Sequence, residues 1–123
     1  MFSGWHERFT ALIAACDDTM RPWPISVLPV GLTWPSAPDV TLIGDAAHLM
    51  APVGEGANMA LLDGAVLGLA LAAHPNDIPS AVEEYEHEMV ERTSVIGRQS
   101  ARIQELLTQP DASKRMLEFF RPR

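Results

Sequence analysis

The residues best suited to chemistry lie in one short stretch, Gly44 to Asn58, which reads GDAAHLMAPVGEGAN. It sets glycines, a proline, a carboxylate and a histidine between a short apolar run and a long apolar segment of helical composition. Gly54 and Gly56 strip side chains from a loop that enters a helix, so backbone N–H groups and the positive end of the helix dipole can come close to a ligand. An anion or an electron-rich ring suits such a place. Asp45 stands just past the apolar run, where α/β sheets bind ligands, and its carboxylate can accept strong hydrogen bonds from the hydroxyls of a sugar-like chain.

Each of these residues also has a purely structural reading. Gly-x-Gly is common in turns, and Pro52 can simply stiffen a loop. Asp45 can form a turn or cap a helix from Ala46 onward, and Asn58 is a residue that helix N-termini favour. His48 can pair with Asp45 as a dyad or metal site, or be a histidine satisfied within the fold. With no third ligand and no nucleophile at a matching spacing, no catalytic or metal-binding residue is assigned. Trp5, Trp23 and Trp34 can line a pocket for a flat molecule or pack in a core. Asp63, inside an apolar helix, demands a bonded partner that the sequence does not name.

The elements that must position these residues follow from periodicity. Phe2, Trp5, Phe9, Leu12, Ile13 and Cys16 recur at helical steps, which predicts an amphipathic helix over the first sixteen residues, ended by Asp17 and Asp18. Arg21 to Pro38 is rich in proline, so only Ile25 to Val30 could form a short edge strand. Val40 to Ile43 reads as a strand buried on both faces. Ala57 to His74 reads as a helix apolar on nearly every face and therefore buried, with Gly64 and Gly68 marking close approach of another backbone. After a loop from Pro75 to Pro79, Ser80 and Glu83 form a capping box for a last long helix. Its stripe is Val82, Tyr85, Met89, Ile96, Ile103 and Leu107, with early glutamates and late arginines that complement the dipole. Pro110 stops the pattern, and Met116 to Phe120 adds an apolar turn.

Composition bounds the partners. The chain has 123 residues, 47% hydrophobic and 20% charged, which suits a single globular domain at most. A formal net charge of −7 with no Lys/Arg cluster argues against nucleic acid or an anionic membrane. The single cysteine, Cys16, and the lack of a signal-peptide pattern point to the cytoplasm. The run from Ala57 to Ala73 is shorter than the roughly 20 residues a bilayer needs and carries Asp63, so it is read as a core helix.

Taken jointly, VTLIGDAAHLMAPVGEGANMALLDGA resembles the second flavin-binding motif of the group A FAD-dependent aromatic monooxygenases, in particular the branch containing tetracycline-inactivating flavin monooxygenases. The matching positions are Gly44, Asp45, Ala46, Ala47, His48, Pro52, Gly54, Gly56, Asn58 and Asp63. FSGWHERFTALIAACDD is similar to a helix near the end of the family's substrate domain, and SAVEEYEHEM to the start of its C-terminal helix. One residue, Val53, separates Pro52 from Gly54 where many members have two. No Gly-x-Gly-x-x-Gly βαβ unit is present.

The resemblance implies an α/β fragment, mostly α-helical with one or two short strands, equivalent to the C-terminal part of a FAD-binding monooxygenase fold. Residues 1–38 would end the substrate domain, 39–78 would form the flavin-binding segment and 79–123 the C-terminal helix and tail. Gly44, Asp45, Pro52, Gly54, Glu55, Gly56, Ala57 and Asn58 would bind FAD, with Asp45 on the ribityl chain and the loop from Pro52 to Asn58 against the isoalloxazine ring. NAD(P)H and oxygen would be co-substrates, and the substrate an aromatic or polyketide-like small molecule. The isolated chain would bind FAD weakly and be inactive without a complementing N-terminal part. The alternative is a non-catalytic helical module that associates with a second copy of itself.

Overall fold

The structure, a computed structural model, describes every residue except Met1, Asp18, Met20, Phe120, Pro122 and Arg123. Among the described residues the order is α1 (Glu7–Ala14), α2 (Asp45–His48), α3 (Gly56–Ala73), α4 (Ile78–Thr108) and α5 (Ala112–Phe119). The chain is mostly helical, as its composition implied.

The α3–α4 hairpin is the frame. Its small core joins Ala47, Ala70, Ala81, Tyr85 and Met89, with Val66, Leu67, Leu71, Val90 and Trp34 packed against it. The start of the stripe expected on the last helix, Val82, Tyr85 and Met89, is buried, whereas Leu107 at its end is exposed. A short turn through Pro75 and Asn76 reverses the chain. Asp77, rather than Ser80, caps α4, accepting the Ser80 amide at 3.2 Å and the Ser80 hydroxyl at 2.7 Å. With Asp77 in that role, Ile78 and Pro79 enter the first turn, where proline's missing N–H costs nothing. The bonds to Ser80 hold the exposed Asp77 carboxyl below the usual carboxylate value.

Neither expected strand forms among the described residues. The one β contact is an isolated antiparallel bridge between Ala37 and Val40. Val40, Leu42 and Ile43 are exposed instead of buried on two faces, because no neighbouring strand is there to pair with them. Side chains of α4 hold the segment in place: Tyr85 donates its hydroxyl to the Leu42 carbonyl at 3.0 Å, and Glu86 accepts the Thr41 hydroxyl at 2.8 Å and the Trp34 indole N–H at 3.0 Å. Burial first, then the nearby Asp63 charge, push the Tyr85 phenol well above its ordinary range. The stretch Ile25 to Val30 is irregular too, joined to the α2 loop by one backbone bond from Leu28 to the Leu49 carbonyl at 2.8 Å.

Two helices are less buried than their sequences predict. α1 is shorter than expected and buries nothing, so Trp5, edge-on to both Phe2 and Phe9, lies open to solvent. The expected stop at Asp18 lies outside the described residues, as does Phe120; the rest of the expected turn from Met116 falls within α5. In α3 only Asp63 and Ala70 are buried, while Leu61 is 76% and Leu69 72% exposed. Among the described residues, no atom outside the helix's own backbone comes within 4 Å of a Cβ placed on Gly64 or Gly68, so none makes the close approach expected there. By length and composition α3 is able to cross a membrane, yet its central Asp63 is ion-paired to α4.

Candidate flavin site

The site is assembled where the chain leaves the 40–43 segment and re-enters helix. Gly44 is buried, with φ 59° and ψ −139°, a region essentially reserved for glycine. A Cβ there would stand 3.0 Å from the Ala60 Cβ of α3, so the position also needs glycine for space. The Gly44 carbonyl accepts the amides of Ala47 at 2.9 Å and His48 at 3.0 Å and starts α2. Asp45 is therefore the first residue of α2, its side chain exposed; among the described residues it enters no ion pair.

From Ala51 the chain turns through Pro52, Val53 and Gly54 into α3. Gly54 has φ 99° with nothing within 4 Å of its missing Cβ, so the loop presents bare backbone. Glu55 is the N-cap residue but makes no side-chain cap, and the first intrahelical bond is Met59 N–H to the Glu55 carbonyl at 3.0 Å. The N–H groups of Gly56, Ala57 and Asn58 accordingly point out of the helix start with no cap, carrying the positive end of its dipole. Asn58 lies inside the first turn and is exposed, so it is not the cap that its type suggests.

The structure brings the two halves of this stretch together. Asp45 Oδ1 lies 4.0 Å from where a Gly56 Cβ would be, which sets the open carboxylate beside the uncapped helix start. Hydroxyl donors can meet Asp45 while an electron-rich ring edge meets the Gly56–Asn58 amides, so these residues fit a flavin with its ribityl chain. An open hollow of about 690 Å³ beside Pro52 is lined also by Trp23, Ile25 and Met50. Trp23 thus stands at this hollow; Trp34 packs against the core, bonds Glu86 and lines a separate hollow of about 290 Å³, and Trp5 touches Phe2 and Phe9 but is open to solvent. A more enclosed hollow of about 260 Å³, lined by Val27, Leu28, His48, Met89 and Gly97 among others, touches none of Asp45, Gly54, Gly56 or Asn58.

Behind the site lies a buried ionic cluster. Asp63 accepts the Gly44 amide at 2.8 Å, His48 Nε2 at 2.6 Å and Arg92 Nη2 at 2.8 Å, and Arg92 also reaches Glu88 at 2.9 Å. His48 is therefore paired with Asp63 rather than Asp45, and no group of metal-ligating side chains occurs among the described residues. These are the partners that Asp63 required. By sequence alone Arg92 is one of the late arginines of the last helix that complement its dipole. Its place on the buried stripe, between Met89 and Ile96 at helical steps, is the signal that would have found it.

Comparison with known proteins agrees with the geometry. The chain is 33% identical over 117 residues, 89% of its length, to 3-amino-4-hydroxybenzoate 2-monooxygenase of Streptomyces cremeus, of which it spans 28%. It is 38% identical over 101 residues, 79% of its length, to 6-hydroxynicotinate 3-monooxygenase of Pseudomonas fluorescens, spanning 25% of that protein. Over 58 residues, 46% of its length, it is 48% identical to 3-hydroxybenzoate 6-hydroxylase of Polaromonas naphthalenivorans, spanning 14% of it. The chain thus spans between 14% and 28% of the length of these curated relatives. A family model described as FAD binding domain matches residues 36–100, just over half of the chain. The chain belongs to this FAD-binding family, and FAD is its cofactor.

Proposed function

We propose that this chain is the C-terminal flavin-binding segment of a monooxygenase that hydroxylates an aromatic or polyketide-like small molecule, using NAD(P)H and oxygen in the cytoplasm. The observation that carries the reading is the open Asp45 carboxylate beside the uncapped start of α3 at Gly56. Residues 1–38 would end a substrate domain, 39–78 hold the flavin and 79–123 brace it from behind.

Bound FAD, reduced by a nicotinamide, supplies the oxygen chemistry. This chain's residues bind and orient. Asp45 accepts hydrogen bonds from ribityl hydroxyls, while Gly44 sets the direction of its backbone. The amides of Gly56, Ala57 and Asn58 and the α3 dipole stabilise negative charge at the ring's pyrimidine edge. Gly54 and Glu55 shape the loop, and Pro52, lacking an N–H, offers only a carbonyl toward the ring. The open hollow lined by Pro52 and Trp23 is mostly apolar, which suits an aromatic substrate. A substrate of the tetracycline type would use the same shelf.

The exposed 40–43 segment and the outer face of α3 support a complementing part that supplies neighbouring strands and the pyrophosphate contacts. NAD(P)H oxidation tests this: the chain with FAD and substrate alone turns over nothing, and activity requires a βαβ segment added in trans. Turnover by the pure chain would contradict it. A second reading, self-association without catalysis, is favoured by Leu61 and Leu69 on α3 rather than by the α4 stripe, whose first half is already buried within the protein. Stable dimers that take up no flavin would support that reading instead.

A further inference from the structure

Asp63 is wholly buried, and two of its three bonds lead to the turn that carries Asp45. Oδ2 accepts both the Gly44 amide, at 2.8 Å, and His48 Nε2, at 2.6 Å, so one oxygen ties the residue before α2 to the last residue of α2. Oδ1 accepts from Arg92 at 2.8 Å, which supplies the cation that a buried carboxylate requires. Because a carboxylate only accepts, the proton in the contact is on His48 Nε2; His48 Nδ1 and Arg92 Nε, both buried, have no partner among the described residues. The two bonds to Oδ2 together fix one orientation of the turn.

We propose that Asp63, neutralised by Arg92, is the positioning residue of the flavin site: it holds the Gly44 amide inward and thereby aims the exposed Asp45 carboxylate at the ribityl chain. An exposed aspartate on an unrestrained turn would sample many directions, and fixing its backbone removes that cost from binding. Arg92 makes the long helix α4 part of the same restraint. The proposal rests on the reading of Asp45 as the ribityl ligand.

The test compares wild type with Asp63→Asn in two measurements, after circular dichroism shows the helices retained. Amide exchange by NMR reads the turn directly, and the Gly44 amide exchanges about tenfold or more faster in the variant. Fluorescence titration uses riboflavin and lumiflavin, which share a ring but differ in the ribityl chain. Riboflavin affinity falls about tenfold or more, while lumiflavin affinity is unchanged. An equal loss for both flavins overturns the proposal in favour of a merely structural aspartate, as does a Gly44 amide no less protected than in wild type. Wild type that binds riboflavin together with an unaffected variant overturns the proposal alone; wild type that binds neither flavin overturns the reading of the site itself. If Asp63→Asn does not fold, Arg92→Lys carries the same measurements, with the charge kept and the guanidinium geometry removed.

Discussion

The two faces of α3 differ sharply. Toward α4, Asp63 bonds Gly44, His48 and Arg92, and Ala70 joins the core that Ala81, Tyr85 and Met89 form. Away from α4, Leu61 and Leu69 stand in solvent, and Gly64 and Gly68 face open space. Burying a leucine stabilises by about 1.5 to 3 kcal/mol, so the outer face holds a sizeable unused driving force. The inner face is complete, and with it the Gly44–Asp45 turn. The outer face carries composition suited to a neighbour that this chain does not contain among its described residues. A helix apolar all round is thus apolar for two different reasons on its two sides.

The comparison can be broken from the inside first. Asp63→Ala leaves Arg92 buried without its anion and the Gly44 amide unbonded, so denaturant unfolding is expected to show a loss of about 3 to 5 kcal/mol. Gly44→Val forces a branched side chain into φ 59° and against Ala60, and a loss of about 1 to 3 kcal/mol is expected with weakened flavin binding. Tyr85→Phe removes the bond to Leu42 and costs about 0.5 to 1.5 kcal/mol. Its pH signature has a definite sign. The folded phenol titrates above its ordinary value of 10.0, so the stability it contributes is complete below that pH and is lost as pH rises toward the folded value. Thermal melts should show this alkaline loss in wild type and not in Tyr85→Phe.

Smaller effects sharpen the contrast. Asp77 titrates below 3.8 in the folded chain, so its contribution is present above that pH and fades as pH falls through the lower folded value. Asp77→Ala should abolish that acid dependence of α4 helicity, read by circular dichroism. On the outer face, Leu61→Gln combined with Leu69→Gln should change folding stability by less than about 0.5 kcal/mol. The same pair should abolish any self-association or complementation seen by sedimentation. A large loss of monomer stability would show that the face is not free.

How much was legible beforehand follows the same division. The positions of α3 and α4, the bare backbone at Gly54 and the need of Asp63 for a partner could all be read locally, because periodicity, glycine and buried charge each act over a few residues; the positive φ of Gly44 could not. What could not be read was anything that depends on neighbours. Val40 to Ile43 has strand composition, but strands need partners, and here the segment hangs from Tyr85 and Glu86 instead. Gly64 and Gly68 promised close packing that nothing among the described residues provides. The stripe marks Arg92 as inward-facing, but the Asp63–Arg92 pair spans elements distant in sequence, so no local pattern joins the two, and Asp77 takes the capping role because it precedes the prolyl turn where the helix begins.

The most direct measurement is a titration of the purified chain with FAD, followed by quenching of flavin fluorescence, alongside Asp45→Ala and Gly56→Val. The account predicts weak, saturable binding by wild type that is lost in both variants, since one removes the ribityl acceptor and the other crowds the helix start beside it. Binding that survives both substitutions, or no binding by wild type, would contradict it.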